Sequence, residues 1–451
     1  MLTTAPLSEN RLAQLKNIPM QWVKTQEQLF DVMDRIDECD ILALDTEFIK
    51  RDTFYPKLAL VQVNTGDNIY LIDTPRLDMD EFWEVIAEVP TLVLHACGED
   101  LGIYYLLSSL PTLTNIFDTQ IGLSYLTGEL QSGYQKALSE VIAIDVDKGE
   151  SQSNWLQRPL THEQEIYAAD DVRYLLALYD ELKQQLNAQN LWHYAVEDSQ
   201  NYAKELYESS KVSDENLYLS VADFRDSPEQ LAMLQALCEW REKLAKSTNQ
   251  PRTFILRPQA LREIVEKPPH SLKQLGFTST KPEVIRMYGQ EILSIISDIK
   301  KADPTRYPKV LPLPYRNLAG NLQQQIERAI REQSHATQVQ ETVLMRKKWL
   351  SELYAFAVTQ NEKLAENVAV TGSDLETLEA THTGEKTSAE EVSLSAWLAG
   401  WRHDWIMTKI VPILQTTPDL IVTELPKSEA PLSEIPIAEI PMAEITISAK
   451  S

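Results

Sequence analysis

Four short apolar runs near the start of the chain most narrowly limit its fold. Each is bounded by turn-forming residues, a pattern typical of buried strands. The runs are 41–44, 58–63, 69–72 and 92–94. Beyond residue 99 the apolar residues follow a helical period instead, and from Ile166 to Leu182 this period predicts one long helix. Strands followed by helices predict an α/β domain over residues 1–212.

The rest of the chain is predicted to be helical. Ser227-Pro228 has the residue types of a helix cap and first turn. Amphipathic stretches predict further helices at about 258–266 and 281–299. Prolines crowd the segment 303–316 and indicate a linker. After the α/β domain we therefore expect a helical domain at 218–302, a proline-rich basic linker at 303–320, a second helical domain at 321–416 and an acidic tail at 417–451.

Two segments near the end are predicted to lack a packed core. Residues 371–391 are rich in Gly, Ser, Thr and Glu, which predicts a mobile acidic loop within the second helical domain. Residues 434–447 repeat a Glu-Ile pattern interrupted by proline. Because proline at such intervals forbids a continuous helix, we expect the tail to be disordered.

The charge of the chain is distributed unevenly. The whole sequence carries a net charge of −25 at pH 7, which taken alone argues against a nucleic-acid ligand. Residues 1–200 contain 33 acidic and 13 basic residues, whereas residues 251–350 contain 9 acidic and 17 basic ones. This basic block therefore predicts a phosphate-binding face. For any single Lys or Arg in it, a solvated helix surface is the simpler interpretation.

Two carboxylates lie at the end of the first apolar run. Asp45 and Glu47 are two residues apart, so strand alternation turns both side chains to the same face. Adjacent carboxylates repel each other, and a hard divalent cation such as Mg²⁺ relieves that repulsion. An isolated Asp-x-Glu is more often a cap at a strand end, so the pair is not decisive by itself.

Two further acidic motifs follow along the chain. Asp100 lies where a strand passes into a helix, a position that the helix dipole favours for a carboxylate and that simple capping also explains. Tyr167 and Asp171 are four residues apart on one helix face, and periodicity does not choose between Asp171 and Asp170. No metal-binding Cys/His motif accompanies His95, which we interpret as a structural or substrate-facing residue.

The combination of these motifs narrows the chemistry. An Asp-x-Glu on a strand, an Asp at a strand–helix junction and a Tyr-x-x-x-Asp on a helix supply four carboxylates and a tyrosine. Each motif alone is more often structural. Together they suit hydrolysis of phosphodiesters assisted by two divalent metal ions, Mg²⁺ or Mn²⁺.

Several segments between about residues 20 and 190 occur in an order typical of one family. They are Leu44–Phe48, Tyr55–Leu58, Leu60–Val63, His95–Asp100, Phe117–Gln120, Asp147–Ser151, Trp155–Leu160 and Tyr167–Asp171. This stretch resembles ribonuclease D, a bacterial 3′–5′ exoribonuclease family in the tyrosine-containing branch of the DEDD superfamily. Residues 228–299 resemble a helicase-and-ribonuclease-D C-terminal (HRDC) domain, and residues 341–415 resemble a second, degenerate copy.

The resemblance implies a fold and a set of roles. The exonuclease domain would be α/β and RNase H-like, followed by all-α HRDC domains. Four side chains would hold the two metal ions: Asp45, Glu47, Asp100 and Asp171. Tyr167 would orient the attacking water, because an ordinary tyrosine pKa near 10 makes it a poor base at neutral pH. Thr46 and Phe48 would contact the terminal nucleotide, Phe48 by stacking on its base. To these candidate substrate-binding residues we add His95 and, from the basic block, Arg252, Arg257 and Lys273.

We therefore expect a divalent-metal-dependent 3′–5′ exoribonuclease that releases 5′-mononucleotides. Its RNA substrates would be tRNA precursors and other small structured RNAs with 3′ tails. The alternatives are a DNA 3′–5′ exonuclease of the same superfamily and a non-catalytic RNA-binding adaptor. Three scattered cysteines and the lack of a long apolar segment predict a cytoplasmic protein without a membrane partner. We expect a monomer.

Overall fold

A computed structural model describes residues 2–147, 149–150, 153–211, 213–311, 314–354 and 396–414. The predicted loop at 371–391 and the predicted tail at 417–451 lie outside these residues, so their disorder stays a prediction. Within the described part of the chain, no helix combines the length and the apolar character needed to cross a bilayer.

A mixed sheet forms the centre of the N-terminal domain. Its strands are β1 (Met20–Val23), β2 (Ile41–Ile49), β3 (Lys57–Asn64), β4 (Ile69–Ile72), β5 (Thr91–Leu94) and β6 (Ile116–Asp118). Their order across the sheet is β1-β4-β3-β2-β5-β6. Strand β3 is antiparallel to both of its neighbours, and the other neighbouring pairs are parallel.

The four strands predicted from the apolar runs are confirmed as β2 to β5, and two strands were missed. Strand β1 is a partly exposed edge strand and β6 has only three residues, so neither produces a long apolar run. The prediction that Asp45 ends its strand was wrong. Pairing with β3 continues to Ile49 through a bulge after Glu47, so both carboxylates lie inside β2.

Helices cover both faces of this sheet. They are α1 (Glu9–Lys16), α2 (Gln26–Asp37), α3 (Asp80–Glu88), α4 (Gly98–Leu107), α5 (Thr119–Thr127), α6 (Tyr134–Ile142), α7 (His162–Arg173), α8 (Leu175–Ala188) and α9 (Trp192–Ser210). Helices α2, α3 and α4 bury their apolar sides on one face. Helices α7 and α8 pack on the other. A short 3₁₀ turn at Thr74–Arg76 follows β4, and a second one, at Asp214–Ser220, packs on the helical domain that comes next in the chain.

The prediction of a single long helix from Ile166 onward was wrong, because the helix is interrupted at Tyr174. Helix α7 ends at Arg173 and α8 begins at Leu175. The buried amide of Asn64 in β3 donates a hydrogen bond to the Val172 carbonyl at 2.9 Å. A side-chain donor thus satisfies a carbonyl that the end of the helix leaves free. Apolar periodicity cannot reveal such a break, because it resumes after one residue.

The next domain is all helical and has a core of its own. It consists of α10 (Pro228–Thr248), α11 (Arg252–Ile255), α12 (Pro258–Glu266), α13 (Leu272–Leu275) and α14 (Pro282–Lys301). Ser227 caps α10 through a capping box, and the predicted helices at 258–266 and 281–299 are confirmed as α12 and α14. The buried side chains of this core come from residues 218–296.

The second helical block shares its core with the N-terminal domain. Two 3₁₀ turns, Pro304–Arg306 and Tyr315–Asn317, lead into it. Its helices are α15 (Gly320–Thr337), α16 (Glu341–Leu344), α17 (347–354), α18 (Ala396–Ala399), α19 (His403–Trp405) and α20 (Val411–Leu414), with a π-helical turn at Ile406–Ile410. Trp349 and Trp397 belong to the same buried cluster as Phe117 of β6. The separate domain expected from the sequence is therefore packed as part of a larger unit.

Candidate active site

Strand β2 and helix α7 bring three carboxylates together. Asp45 and Glu47 project from one face of β2, and Asp171 approaches from α7, which lies across that face. Ligand oxygens of the three side chains lie within 4.8 Å of one another, close enough to hold a metal ion. All three line a cavity of about 780 Å³. An all-oxygen donor set of this kind suits Mg²⁺ or Mn²⁺.

Asp100 lies beside this group without belonging to the 4.8 Å cluster. It occupies the first turn of α4, where the helix dipole favours a carboxylate. The Thr46 hydroxyl donates a hydrogen bond to Asp100 Oδ1 at 2.5 Å. Thr46 is only 6% exposed, so its hydroxyl holds Asp100 in the cavity wall. A contact of Thr46 with substrate stays a prediction.

Asp170 and Asp171 point in different directions. Arg173 donates from Nε to Asp170 Oδ1 at 2.7 Å, and this pair lies away from the cavity. Asp171 and Tyr167 both line the cavity, because four residues return a helix to the same face. Packing thus supplies the geometric distinction that periodicity left open.

Burial and crowding make the carboxylates hard to ionise together. Burial first, then the Asp171 carboxylate, raises the pKa of Glu47 to about 9. Burial, reinforced by Asp170 and Asp100, raises the pKa of Asp171 to about 8. Burial also raises the pKa of Asp45 well above its usual range. Burial raises the pKa of Asp100 to about 6, against the lowering effect of the Thr46 hydrogen bond. A bound cation would remove this cost.

In the metal-free protein, protons bound to these carboxyl groups should therefore neutralise the charge that a metal ion would otherwise neutralise. The raised pKa values of Glu47 and Asp171 mean that the folded state binds more protons than the unfolded state between about pH 5 and 9. We expect the stability of the chelator-treated protein to fall across this window by on the order of a few kcal/mol. Thermal unfolding from pH 5 to 9 measures this.

Two comparisons check the origin of that pH dependence. Adding Mg²⁺ should raise the melting temperature most at pH 9, where the carboxylates are most ionised. Asp171→Asn should flatten the metal-free pH profile, because it removes one titrating group and one source of repulsion. A metal-free protein that becomes more stable from pH 5 to pH 9 would contradict the coupling among these carboxylates.

Several other side chains shape the cavity. His95 uses both ring nitrogens, on Thr119 Oγ1 and the Ser132 carbonyl, each at 2.9 Å. It therefore holds the 132–134 segment in place, and it also lines the cavity. A contact of His95 with substrate stays a prediction. Phe48 lines the cavity from β2.

Sequence reasoning missed two aromatic residues of the cavity. Tyr134 donates to the Asp170 carbonyl at 3.2 Å, and its ring lies 5.4 Å from that of His95. Trp155 is buried with its ring 6.0 Å from that of Tyr167. Arg158 fixes the Trp155 loop through a hydrogen bond to its carbonyl at 2.7 Å. Trp155 and Arg158 were part of the family resemblance but received no role. The other partners of Arg158, the Asp73 carboxylate and the Ala59 carbonyl, are distant in sequence, so no local pattern shows how this loop is fixed.

The three predicted basic contacts lie on the helical domain, outside the catalytic cavity. Arg252 pairs with the buried carboxylate of Glu242 and lines a neighbouring cavity. Arg257 precedes α12 and Lys273 lies in α13, and both are exposed. Neither lines the catalytic cavity, so a role for them requires an RNA that extends over the helical domain.

Comparison with known proteins agrees with the two-part organisation. Residues 20–187 match the family model of a 3′–5′ exonuclease, and residues 230–296 match that of the HRDC domain. The chain is 36% identical over 301 residues to ribonuclease D of Pseudomonas paraeruginosa, a match that covers 65% of this chain and 78% of that protein. The chain belongs to the ribonuclease D family. Ribonuclease D of Haemophilus influenzae is 30% identical over 286 residues, or 62% of this chain and 71% of the relative.

The solved structures agree with this assignment at the level of the fold. The Escherichia coli RNase D structure covers 88% of this chain and 99% of its own, with a TM-score of 0.73 and 24% identity. The expected fold class, an α/β exonuclease domain followed by helical HRDC structure, is confirmed. With its exonuclease domain and its ribonuclease D relatives, the chain is a 3′–5′ exoribonuclease.

Proposed function

We propose that this member of the ribonuclease D family uses two divalent metal ions, Mg²⁺ or Mn²⁺, to remove 5′-mononucleotides from RNA 3′ ends. The convergence of Asp45, Glu47 and Asp171 in one cavity carries this proposal. Six acidic and two basic side chains line the cavity. Such an excess of negative charge is stabilised by cations, and divalent ions in such a site activate water and stabilise a leaving oxygen.

The four carboxylates divide into two groups in this proposal. Asp45, Glu47 and Asp171 hold one ion and orient the attacking water near Tyr167. Asp100 serves the second ion together with Asp45, and Thr46 fixes the orientation of the Asp100 carboxylate. Phe48 contacts the base of the terminal nucleotide, since a phenyl ring at the cavity wall offers a stacking surface to any base.

The proposed substrates are tRNA precursors and other small structured RNAs with single-stranded 3′ tails, bound by a cytoplasmic monomer. The similar E. coli protein is described as an exoribonuclease involved in structured RNA processing. On this chain the basic block at 251–350 supports the proposal, with exposed Arg257 and Lys273 as phosphate contacts. The HRDC domain would hold the folded RNA body while the tail enters the cavity.

A degradation assay with matched RNA and DNA tests this function. The full chain, Mg²⁺ and a 3′-tailed hairpin RNA should release 5′-monophosphates one at a time, and a chelator should stop the release. The same hairpin made of DNA should be cut much more slowly. Faster DNA cleavage would favour the DNA exonuclease alternative, and activity unaffected by chelator would refute metal dependence.

Tyr167 should assist chemistry without binding RNA strongly. Burial and the nearby Asp171 carboxylate raise its pKa above the usual range, so the hydroxyl stays protonated and can orient water by hydrogen bonding. We expect Tyr167→Phe to lower kcat roughly 10- to 1,000-fold, the scale of one lost polar group in an active site. KM and RNA affinity should change little. Single-turnover kinetics with a matched binding assay measure both, and an affinity loss with unchanged turnover would contradict the positioning role.

A further inference from the structure

A second cavity adjoins the catalytic one at the junction with the HRDC domain. It has a volume of about 610 Å³, and Phe48, Lys50 and Glu99 line both cavities. The exonuclease domain supplies most of its wall, and Arg252 of the HRDC domain supplies the rest. A ligand that leaves the catalytic cavity past Phe48 would therefore enter this second space.

Aromatic rings line this second cavity. Phe54 and Tyr55 pack edge to face with centroids 4.8 Å apart, and Tyr55 remains 40% exposed. Tyr207 lies on the opposite element, α9, where it packs against Tyr105 at 5.3 Å. Exposed rings held by neighbouring rings form a firm stacking surface, and every nucleobase has a face that can stack on one.

The sign of the charge reverses between the two cavities. The catalytic cavity has an excess of acidic side chains, whereas the second has Lys50, Lys211 and Arg252 against Glu99 alone. Lys211 donates to the Tyr207 hydroxyl, with its ammonium 4.1 Å from the ring centroid. An RNA strand that extends from the catalytic cavity into the second cavity would therefore pass from the proposed metal ligands to basic side chains that can contact its phosphates.

Arg252 has a partner but remains accessible. It pairs with Glu242, whose side chain is 2% exposed, while 46% of the Arg252 side chain stays exposed. Its guanidinium lies 4.9 Å from the Phe54 ring centroid. Arg252 therefore contributes chiefly by holding Phe54 in place, and Lys50 and Lys211 supply the less compensated positive charge.

The HRDC domain anchors the loop that carries the rings. Asn249 Oδ1 accepts hydrogen bonds from the backbone N–H groups of Phe54, at 3.1 Å, and Tyr55, at 3.2 Å. Asn249 ends α10 with φ at 48°, a left-handed conformation that asparagine tolerates well. One HRDC residue thus fixes two adjacent residues of the stacking surface.

We propose that this second cavity binds the single-stranded RNA upstream of the last two nucleotides, by stacking on Tyr55 and contact of phosphates with Lys211. The inference rests on the proposed function, because it assigns the catalytic cavity to the RNA 3′ end. Two observations favour RNA as the ligand of the second cavity: its basic side chains complement the charge of phosphates, and the cavity is continuous with the catalytic one. The HRDC domain then acts on the substrate tail through Asn249, in addition to any contact with the RNA body.

Substrates of different length test this proposal on the full chain with Mg²⁺. Tyr55→Leu should lower kcat/KM for a single-stranded octanucleotide roughly 5- to 100-fold, the range for one lost base–aromatic stack. It should leave dinucleotide cleavage within about twofold, because a dinucleotide does not reach beyond the catalytic cavity. Tyr55→Phe, which keeps the ring, should match the wild type. Lys211→Gln should lower the slope of log affinity against log salt by about 0.7 for the octanucleotide.

Phe30→Ala is the control variant. It changes a 44% exposed ring that lines neither cavity and should have no effect on cleavage of either substrate. Equal loss on dinucleotide and octanucleotide, or no loss on either, would overturn the second binding site while the wild type still trims RNA. A wild type that releases no mononucleotide from any RNA would instead refute the proposed function.

Discussion

Asp45→Asn, Glu47→Gln and Asp171→Asn should each abolish mononucleotide release. These side chains meet within 4.8 Å in a cavity with a strong acidic excess. Each substitution keeps the side-chain volume and removes one charge, so the fold should persist while the metal site loses a ligand. We expect kcat to fall by roughly 1,000-fold or more, at least the scale of one lost electrostatic contact at a reacting centre. Single-turnover assays at saturating Mg²⁺ measure this loss.

Asp170→Asn is the matched control for Asp171→Asn. The two residues are adjacent on α7, but Asp170 pairs with Arg173 and does not line the cavity. Asp170→Asn should therefore retain most activity and lower stability only slightly. Asp171→Asn should bind metal poorly in calorimetry and raise the stability of the metal-free protein at pH 8, because it relieves repulsion. If Asp170→Asn were inactive and Asp171→Asn active, the assignment of the metal ligands would be wrong.

The second large effect concerns a buried ion pair that joins the C-terminal block to the exonuclease domain. Arg402 contacts both oxygens of Asp198, at 2.6 and 2.7 Å, and both side chains are almost completely buried. Arg402 also donates to the Leu344 and Val343 carbonyls. Asp198 in turn accepts a hydrogen bond from the Tyr125 hydroxyl. The pair therefore ties together α9 and two segments of the C-terminal block.

Arg402→Met should lower the free energy of unfolding by about 3–5 kcal/mol, because it leaves the Asp198 carboxylate buried without its cation. The first transition in urea unfolding, followed by tryptophan fluorescence, reports the loss, since Trp349, Trp397 and Trp401 surround Arg402. Cleavage of the folded protein by added protease should also accelerate.

An exposed ion pair supplies the control for this measurement. Arg328 and Glu332 lie four residues apart on α15, with side chains 81% and 65% exposed. Arg328→Gln should cost less than about 1 kcal/mol. Equal losses for the two variants would show that the Asp198–Arg402 pair does not hold the C-terminal block. An exonuclease domain that ends before residue 220 would lack Arg402 and would expose Asp198 together with the core around it.

Sequence patterns predicted the parts of the site that depend on neighbouring residues. Alternation along β2 places Asp45 and Glu47 on one face, and the four-residue step in α7 places Tyr167 with Asp171. The resemblance to ribonuclease D added the family and the choice of Asp171. Two predictions of secondary structure failed, the single long helix from Ile166 and the end of the strand at Asp45. The one-residue interruption at Tyr174 and the continuation of β2 to Ile49 leave the apolar pattern unchanged, so the pattern could not reveal them.

The sequence by itself therefore determined the secondary structure and which side chains share one face of a strand or helix. Only the tertiary structure decided the contacts between residues that are far apart in the sequence. Strand and helix periods follow from backbone geometry, which repeats over a few residues. The contacts of Thr46 with Asp100, of Asn249 with the Phe54–Tyr55 loop and of Asp198 with Arg402 join residues 54 to 204 positions apart. Such pairs depend on how helices and strands pack on one another, and no short-range pattern records that packing. The reversal of charge between two adjoining cavities arises in the same way, from side chains that only the folded chain brings together.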